Sequence, residues 1–413
     1  MRFRKYTCSI IILFFIISCT NNTVSDIDVS DHEDFYDLYI DPTENASLRT
    51  KDFVDSIQFI PLETTNESEF SEIVQIEALP ERYIILDKNT SEILFFNKQG
   101  RFIKKISPQS KELPTPYKNI AYFAIDRIDN KLYFNDLESM NKYEFTLDGN
   151  FIGLDKKKEI DYTIREIHYL NGYRLSYFGY RSFLKDQKKS HNVAVFKDDG
   201  VIKSYLSFDA SKINRDDVYG SRKYFHRSDG SLFFTLPYDA NVYGFSDSGE
   251  MFRAFHFDFP NRLSIPQDFT THKKYFKKRK RFIKENGNKI YLITDFYKMD
   301  RHLAFRLVGG KYSSEFLYDL TKKTTISLTK YVSDSTTYFL PIIGGKILGV
   351  DEGRLLSSFS AKQFVEIINK RGRGSDIPSL PKDIIKIYEQ GNDQNPILLL
   401  TTFKKEIVYD TTF

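Results

Sequence analysis

The stretch ILFFNKQGRFIKKI, residues 93–106, holds two apolar runs separated by a short polar segment that ends in Gly100. Three later stretches repeat this pattern: KYEFTLDGNFIGL from residue 142, VAVFKDDGVIKSYL from residue 193 and VYGFSDSGEMFRAF from residue 242. Their glycines are Gly149, Gly200 and Gly249, so the unit recurs every 49–51 residues. Because glycine accepts the positive φ of a tight hairpin turn, each unit predicts strand, turn and strand. A period near 50 residues is typical of a β-propeller blade.

A further β-rich run precedes each hairpin: RYIILD at 82–87, KLYFND at 131–136, GYRLSYF at 172–178 and SLFFTL at 231–236. A fifth unit without the glycine joins HLAFRL (302–307) to SSEFLYDLTKKTTISL (313–328), and KILGVD (346–351) begins a sixth. Residues 263–286 interrupt the rhythm between the fourth and fifth units. We therefore predict an all-β fold, a six-bladed β-propeller with about four strands per blade and a short helical insertion between blades four and five.

The ring of a propeller has to be closed so that no long strand edge stays unpaired. We expect the strand near Ile57–Pro61 to pair with strands from the C terminus, which NPILLLTTFKK (395–405) and EIVYDTTF (406–413) supply. The segment before it is rich in Asp, Ser and Asn, a composition typical of flexible chain. The predicted organisation is a signal peptide at 1–18, a flexible tether at 19–50 and the propeller domain at 51–413.

The N terminus has the pattern of an export leader. Arg2, Arg4 and Lys5 precede the apolar run Ile10–Ile17, which is far shorter than the roughly 20 residues needed to span a bilayer. The following Ile16-Ile17-Ser18-Cys19 resembles the bacterial lipobox. That resemblance implies that Cys19 receives diacylglycerol and becomes the first residue of the mature protein. The alternative is an ordinary signal peptide in which the cysteine is incidental.

The stretch at 55–106 is similar to the N-terminal part of the propeller domain in a known protein family. It contains Pro61-Leu62-Glu63-Thr64 just before the first repeat, and FHFDFP (255–260) precedes the insertion. On these motifs the chain resembles the six-bladed β-propeller lipoproteins common in Bacteroidetes, which have NHL-like blades. The resemblance implies a lipid-anchored protein of the cell envelope, at the outer membrane on its periplasmic or surface face, that contacts the membrane through its N-terminal lipid.

Composition excludes several classes of function. The two cysteines, Cys8 and Cys19, both lie in the leader region, so the body has no disulfide, thiolate nucleophile or cysteine metal site. The chain has 60 basic and 56 acidic residues, and three of the basic ones belong to the leader. The remaining 57 basic residues nearly balance the 56 acidic ones, which gives no reason to expect nucleic-acid binding. The seven histidines lack metal-site spacing, and no nucleophile elbow, Walker loop or dinucleotide motif is present. We therefore predict no catalytic residues, no metal and no cofactor.

One charged cluster remains as a candidate interaction surface. In the insertion, basic residues alternate with aromatic ones over THKKYFKKRKRFIKENG. One interpretation is an amphipathic helix that packs its aromatic residues on the propeller and exposes its lysines. The other is a surface for an anionic partner such as lipid headgroups or acidic glycans. The residues of this predicted anionic-partner surface are Lys273, Lys274, Lys277, Lys278, Arg279, Lys280 and Arg281.

The sequence thus predicts the fold but no specific activity, because the fold of a protein does not by itself determine its function. The leading hypothesis is a lipid-anchored binding module whose partner is an envelope protein or a glycan. The alternative is a propeller hydrolase or lyase acting on glycans or peptides, with its residues gathered at the central channel. An enzyme is expected to show several perturbed titratable groups at the channel mouth. A third hypothesis, a structural component of an uptake assembly, predicts a large exposed apolar patch.

Overall fold

The protein is a six-bladed β-propeller, as the repeat predicts. The computed structural model describes residues 27–44, 48–87, 89–139, 141–156, 164–182, 190–198, 200–221, 223–228, 230–371 and 379–409. The predicted signal peptide and Cys19 lie outside these residues. Six sheets of four antiparallel strands form the blades, and blade four has a fifth strand that runs parallel to its neighbour. Five blades are meanders of consecutive strands, whereas blade six takes its outermost strand from the N-terminal part of the chain.

The strands fall into blades in chain order. Two strands precede blade one, namely β1 (Ser30–Tyr39) and β2 (Val54–Pro61). Blades one and two consist of β3 (Ile73–Ala78), β4 (Arg82–Asp87), β5 (Glu92–Asn97), β6 (Phe102–Ile106), β7 (Ile120–Asp126), β8 (Lys131–Asp136), β9 (Asn141–Thr146) and β10 (Phe151–Lys156). Blades three and four consist of β11 (Glu166–Leu170), β12 (Tyr173–Tyr177), β13 (Ser190–Lys197), β14 (Gly200–Phe208), β15 (Phe225–Ser228), β16 (Ser231–Thr235), β17 (Asn241–Phe245) and β18 (Met251–Asp258). Blades five and six consist of β19 (Ile290–Met299), β20 (His302–Gly309), β21 (Ser313–Asp319), β22 (Thr324–Ser327), β23 (Lys346–Asp351), β24 (Arg354–Phe359) and β25 (Ile397–Phe403).

The first strand of every blade is the innermost one. These strands are β3, β7, β11, β15, β19 and β23. Close contacts join β7 to β11, β15 to β19, β19 to β23 and β23 to β3, and β15 also approaches β23. Since they all run in the same sense, they end at one face of the disc, which we call the turn face, where the chain turns back into the second strand of each blade. Apolar side chains of adjacent blades pack between the sheets, as Phe95 of blade one does beside Phe123 and Phe134 of blade two. This packing fixes the direction in which the inner strands present their side chains.

The ring closes as predicted, through pairing of an N-terminal with a C-terminal strand. β2 is the outermost strand of blade six and runs antiparallel to β25, with Ile60 opposite Leu398. The sequence predicted a further C-terminal strand in 406–413, and this prediction is wrong for the residues described. The last strand, β25, ends at Phe403, and the described part of 406–413 forms no strand. Ile407 is nevertheless buried against the core between blades five and six.

The predicted tether at 19–50 is wrong for its second half. Ser30–Tyr39 forms β1, which lies parallel to β18 as a fifth, outermost strand of blade four. The physical reason is that the segment is apolar on one side. Leu38 is buried and the Tyr36 ring stacks on Phe255 at 5.5 Å between centroids, while Asp31 pairs with Arg253 at 2.7 Å. The acidic residues that suggested disorder lie on the exposed edge, where charge discourages pairing with another chain.

The hairpin glycines adopt the predicted conformation in three of the four repeats. Gly100, Gly149 and Gly249 have φ between 73° and 79°. Gly200 does not, because it is already the first residue of β14, and Asp198 takes the positive φ of that turn instead. The prediction for the third glycine was therefore displaced by two residues.

Four helices lie outside the blades in the part of the chain that is described: α1 (Thr50–Phe53), α2 (Arg279–Glu285), α3 (Ala361–Lys370) and α4 (Lys382–Glu389). The helix α2 belongs to the predicted insertion between blades four and five. The helices α3 and α4 separate β24 from β25 and cover blade six, where Phe364 and Ile384 pack with Phe59 and Leu399. None of the helices described is long and apolar enough to cross a membrane.

Candidate functional site

The inner strands enclose a channel, and a cavity of about 240 Å³ opens from it toward the turn face. The ends of β3 and β23 supply aliphatic walls, among them Ile76, Leu348 and Val350. Charged side chains complete the lining, since the cavity also takes in Arg127 from the turn after β7 and Lys223 and Arg227 from blade four. A concave space on the axis of the ring is the part of the fold best placed to enclose a ligand.

Glu77 of β3 and the two basic residues of blade four lie on opposite walls. Blades one and four are three positions apart in a ring of six, which places them across the axis from each other. Glu77 is only 7% exposed, and Lys223 and Arg227 are half-buried. Arg127, from blade two, is exposed at the rim. The carboxylate of Glu77 therefore faces the cations of Lys223 and Arg227 across the cavity.

These four charges are not paired with one another. Arg227 donates from Nη2 to the carbonyl oxygen of Tyr169 at 2.9 Å, and Arg127 donates from Nη2 to that of Ala78 at 3.4 Å. Lys223 places Nζ 5.6 Å from the ring centroid of Tyr297 and makes no ion pair with a carboxylate in the described chain. The carboxylate of Glu77 likewise accepts no hydrogen bond from a described residue.

Another acid of the lining shows the contrast. Asp351 accepts from Lys98 Nζ at 2.5 Å and from the Tyr83 hydroxyl at 2.7 Å. A buried carboxylate normally has such partners, because removing a charge from water without compensation is costly. Asp351 therefore has a structural role, which distinguishes it from Glu77.

The electrostatics of the channel keep Lys223 charged. Burial lowers the pKa of its ammonium group, but the nearby Tyr297, Glu77 and Glu166 raise it more, so that the pKa lies above its ordinary value. Burial also raises the pKa of Tyr297 to about 12, and its hydroxyl donates to the Leu348 carbonyl oxygen at 3.0 Å. At neutral pH the wall of blade four is therefore cationic.

Glu166 is the most perturbed acid of the channel, but its oxygen atoms are occupied. Burial raises the pKa of its carboxyl group to about 7, although hydrogen bonds from backbone N–H groups and the charge of Lys223 lower it in part. Its oxygens accept from the backbone N–H groups of Tyr224 at 2.7 Å and Phe225 at 3.5 Å. These bonds join the start of β11 to the start of β15, so Glu166 has a structural role between blades three and four.

Two of the histidines lie on inner strands and pack in the core. Burial lowers the pKa of both His168 and His226 well below its usual range, so both are neutral. The His168 ring lies edge-on to Phe225 at 5.6 Å, and His226 Nε2 lies 3.1 Å from Thr235 Oγ1. Across the residues described, no three His, Cys, Asp or Glu side chains converge as a metal site would require.

The structure corrects the predicted anionic-partner surface at Arg279. This side chain is 0% exposed and forms an ion pair with Asp217, which is also buried. The predicted single helix is interrupted, because Lys277 has a φ of 59° between a 3-10 helix at Lys273–Tyr275 and α2. Arg279 consequently points into the propeller instead of toward solvent.

The remaining members of that surface are exposed, although not all are free. Lys274 pairs with Asp268 and Arg281 pairs with Glu285, both at 2.7 Å. The predicted packing of aromatic residues is confirmed, because Tyr275 and Phe282 lie against Phe269 in the core of blades three and four. The exposed members without an ion pair in the described chain are Lys273, Lys277, Lys278 and Lys280.

The four charged residues of the channel were not predicted from the sequence. A signal was present, because Glu77, Arg127 and Arg227 each lie just before or within the turn that follows the first strand of a blade. All three line the cavity at the turn face. Aligning the first strands of the blades, in addition to their glycine hairpins, would have identified them.

Comparison with known proteins agrees with this architecture. A crystal structure of a Bacteroides fragilis protein described as exported superposes with a TM-score of 0.68 at 16% identity, covering 90% of this chain and 99% of that one. A member of the DUF4221 family from Bacteroides vulgatus gives a TM-score of 0.43 at 11% identity, covering 85% and 97%. Virginiamycin B lyase from Staphylococcus aureus gives 0.33 at 14%, covering 66% and 73%. At 16% identity the likeness to the Bacteroides fragilis protein concerns the fold alone, and no functionally curated protein matches the sequence.

One family model matches most of the chain. It is described as a domain of unknown function, DUF4934, and it aligns with residues 34–402. The match begins within β1 and ends within β25, so it includes all six blades and both strands of the closure. The chain therefore belongs to the DUF4934 family.

Proposed function

We propose that this protein is an exported β-propeller, held to the bacterial envelope by a lipid on Cys19, that binds a small ligand in its channel cavity. Export is supported by the leader pattern and by the Bacteroides fragilis protein of similar fold, which is described as exported. The lipobox-like Ile16-Ile17-Ser18-Cys19 supports the lipid anchor. An outer-membrane location is part of the proposal.

The observation that supports a binding role is the set of unpaired charges around the cavity. Charged groups in a partly closed space are normally neutralised by neighbours, as Asp351 is by Lys98. Glu77, Lys223 and Arg227 form no direct ion pair among the residues described, and Glu77 acts on the two cations only across the cavity. A site that keeps such charges separate is preorganised for a ligand that supplies their missing hydrogen-bond and charge partners.

The enzyme alternative has weaker support. The perturbed pKa of Glu166 fits an acid or base in principle, since catalytic groups are tuned toward neutrality. Glu166, however, is bound to two backbone N–H groups. In the described cavity lining no hydroxyl nucleophile stands beside a base. Binding without turnover is therefore the function that this geometry supports best.

We expect Gly349→Leu to abolish ligand binding. Gly349 lines the cavity, has no positive φ and leaves open space within 4 Å where a Cβ would stand, so a leucine fills the cavity without straining the backbone. The measurement is thermal denaturation of the full chain with a panel of sugars, amino acids and small carboxylic acids. A ligand at 100 times its Kd stabilises the wild type by about 2.7 kcal/mol.

The matched control is Gly153→Leu. Gly153 follows a similar register shift in blade two, and its Cβ position is also open, but it lies on the outer strand β10. This variant is expected to bind like the wild type. The proposed binding role is wrong if no member of the panel stabilises the wild type, or if Gly349→Leu leaves the stabilisation unchanged.

We expect Cys19→Ala to remove the lipid and to release the protein from the membrane fraction. Several acyl chains on one residue anchor strongly because each buried methylene contributes about 0.8 kcal/mol. The measurement is incorporation of a palmitate analogue in a bacterial host, followed by fractionation. Cys8→Ala is the control and is expected to stay labelled, since Cys8 lies within the leader. Label that persists in Cys19→Ala contradicts the anchor.

A further inference from the structure

The charge balance of the channel cavity indicates what it binds. Among the described residues of the lining, Asp351 is neutralised by Lys98, and the exposed Glu352 lies 3.3 Å from Arg354. The charges left over are the cations of Arg127, Lys223 and Arg227 and the carboxylate of Glu77. Arg222 and Asp229, which neighbour them in the sequence, are outside the described residues. With the two paired acids set aside, the described lining has three cations and one carboxylate, an excess of two positive charges.

The positions of these charges add a second constraint. Lys223 and Arg227 approach the cavity from blade four, and Glu77 faces them from blade one. Arg127 of blade two lies on the side of Glu77, where it donates to the carbonyl oxygen of Ala78. Guanidinium and ammonium groups donate only, so they bind carboxylate or phosphate oxygens. A carboxylate such as that of Glu77 accepts only, so the ligand must offer it a donor. The ligand consequently carries anionic groups at one end and hydroxyl groups at the other.

Size and lining restrict the ligand further. A volume of about 240 Å³ lies below the range of about 300–1,000 Å³ that is usual for ligand pockets. The described lining contains no aromatic side chain, so it offers no surface on which a sugar ring or a base could stack. Both points favour a single small molecule held by its charges over a polymer laid across a platform.

We propose that the cavity binds a small hydroxylated dianion, with its negative groups at Lys223 and Arg227, a hydroxyl group donating to Glu77, and Arg127 adding positive charge at the rim beside Glu77. The inference rests on the proposed binding function and names the ligand class. A sugar dicarboxylate and a sugar phosphate share this chemistry, and the experiment separates the two.

The test is calorimetric titration of the full chain at low ionic strength with five probes: glucarate, glucose 6-phosphate, succinate, glucuronate and glucose. Glucarate or glucose 6-phosphate is expected to bind at least about tenfold more tightly than the monoanion glucuronate, since each charge-assisted contact contributes about that factor. Succinate, a dianion without hydroxyl groups, is expected to bind more weakly than glucarate. Glucose is expected to show no binding.

Three variants locate the site. Lys223→Gln, Arg227→Gln and Arg127→Gln are each expected to weaken dianion binding about tenfold. Arg127 is exposed and makes a single long hydrogen bond, so its variant keeps the test valid if a change at half-buried Lys223 disturbs folding. Lys284→Gln, on the exposed side of α2, is the control and is expected to bind like the wild type.

The outcomes separate the two proposals. If glucose or glucuronate binds as tightly as the dianions, or if the dianions bind independently of all three cations, the ligand class is wrong. If a panel compound of another charge type binds and Gly349→Leu abolishes its binding, the ligand class is wrong and the binding function stands. If no compound binds, both proposals fail.

Discussion

Replacing Arg279 by alanine is expected to lower the free energy of unfolding by about 3–5 kcal/mol, the usual loss when one partner of a buried ion pair is removed. Arg279 pairs with Asp217, and both side chains are almost completely inaccessible. Its Nε also donates to the Phe269 carbonyl oxygen at 2.7 Å, and Nη1 to that of Lys212 at 2.9 Å. The alanine variant leaves the Asp217 charge and two carbonyl groups without these donors.

Arg281→Ala is the matched control, two residues away on the same helix. Arg281 is exposed and pairs with Glu285 one turn later, a surface interaction that solvent screens and that contributes little to stability. Urea denaturation followed by far-ultraviolet circular dichroism measures both variants, and the chain has no tryptophan to report by fluorescence. Equal losses for the two variants would show that Arg279 does not anchor the insertion.

The difference between these two arginines explains what the sequence could not predict in the insertion. The run of basic residues looks uniform, and helical periodicity alone places Arg279 among the solvated lysines. Its partner Asp217 lies 62 residues earlier, in the connection between blades three and four. Such long-range pairing depends on how two loops meet on the disc, which local composition does not encode.

The blades were predictable because the same hairpin pattern recurs at a nearly constant spacing along the chain. Each glycine hairpin marks the third and fourth strands of a blade, and closure follows from the need to pair β2. The strand β1 escaped prediction because it is an edge strand whose acidic residues face solvent, which resembles a tether in composition. Only the alternation of Tyr36 and Leu38 distinguishes it, and this pattern is too short to decide alone.

The channel cavity could be predicted from the sequence only in part. Glu77 and Lys223 are 146 positions apart, and the ring geometry brings them to opposite walls of one space. Once six blades are assumed, the charges on first strands can be assigned to the channel. Whether such a charge is paired, as Asp351 is by Lys98, or open, as Glu77 is, depends on side-chain geometry that only the structure supplies.

Replacing Gly100 by alanine is expected to lower the free energy of unfolding by about 2–5 kcal/mol, of which about 1–2 comes from the left-handed backbone and about 1–3 from overpacking. Gly100 has a φ of 79°, and a Cβ there would stand 2.2 Å from the carbonyl oxygen of Pro61. Pro61 ends β2, so the turn of the first hairpin is packed directly on the strand that closes the ring. Thermal or urea denaturation measures the loss.

Gly172→Ala isolates the part of this loss that is due to closure. Gly172 has nearly the same φ, 77°, but nothing lies within 4 Å of its Cβ position, so its variant is expected to lose only about 1–2 kcal/mol. Any gain from a stiffer unfolded chain is common to both variants and cancels in their difference. An excess loss at Gly100 therefore measures the close approach of the first hairpin to β2, and equal losses would mean that β2 moves away at little cost. In the second case the closure would depend on the pairing of β2 with β25 alone, and the hairpin glycine would be needed only for its turn.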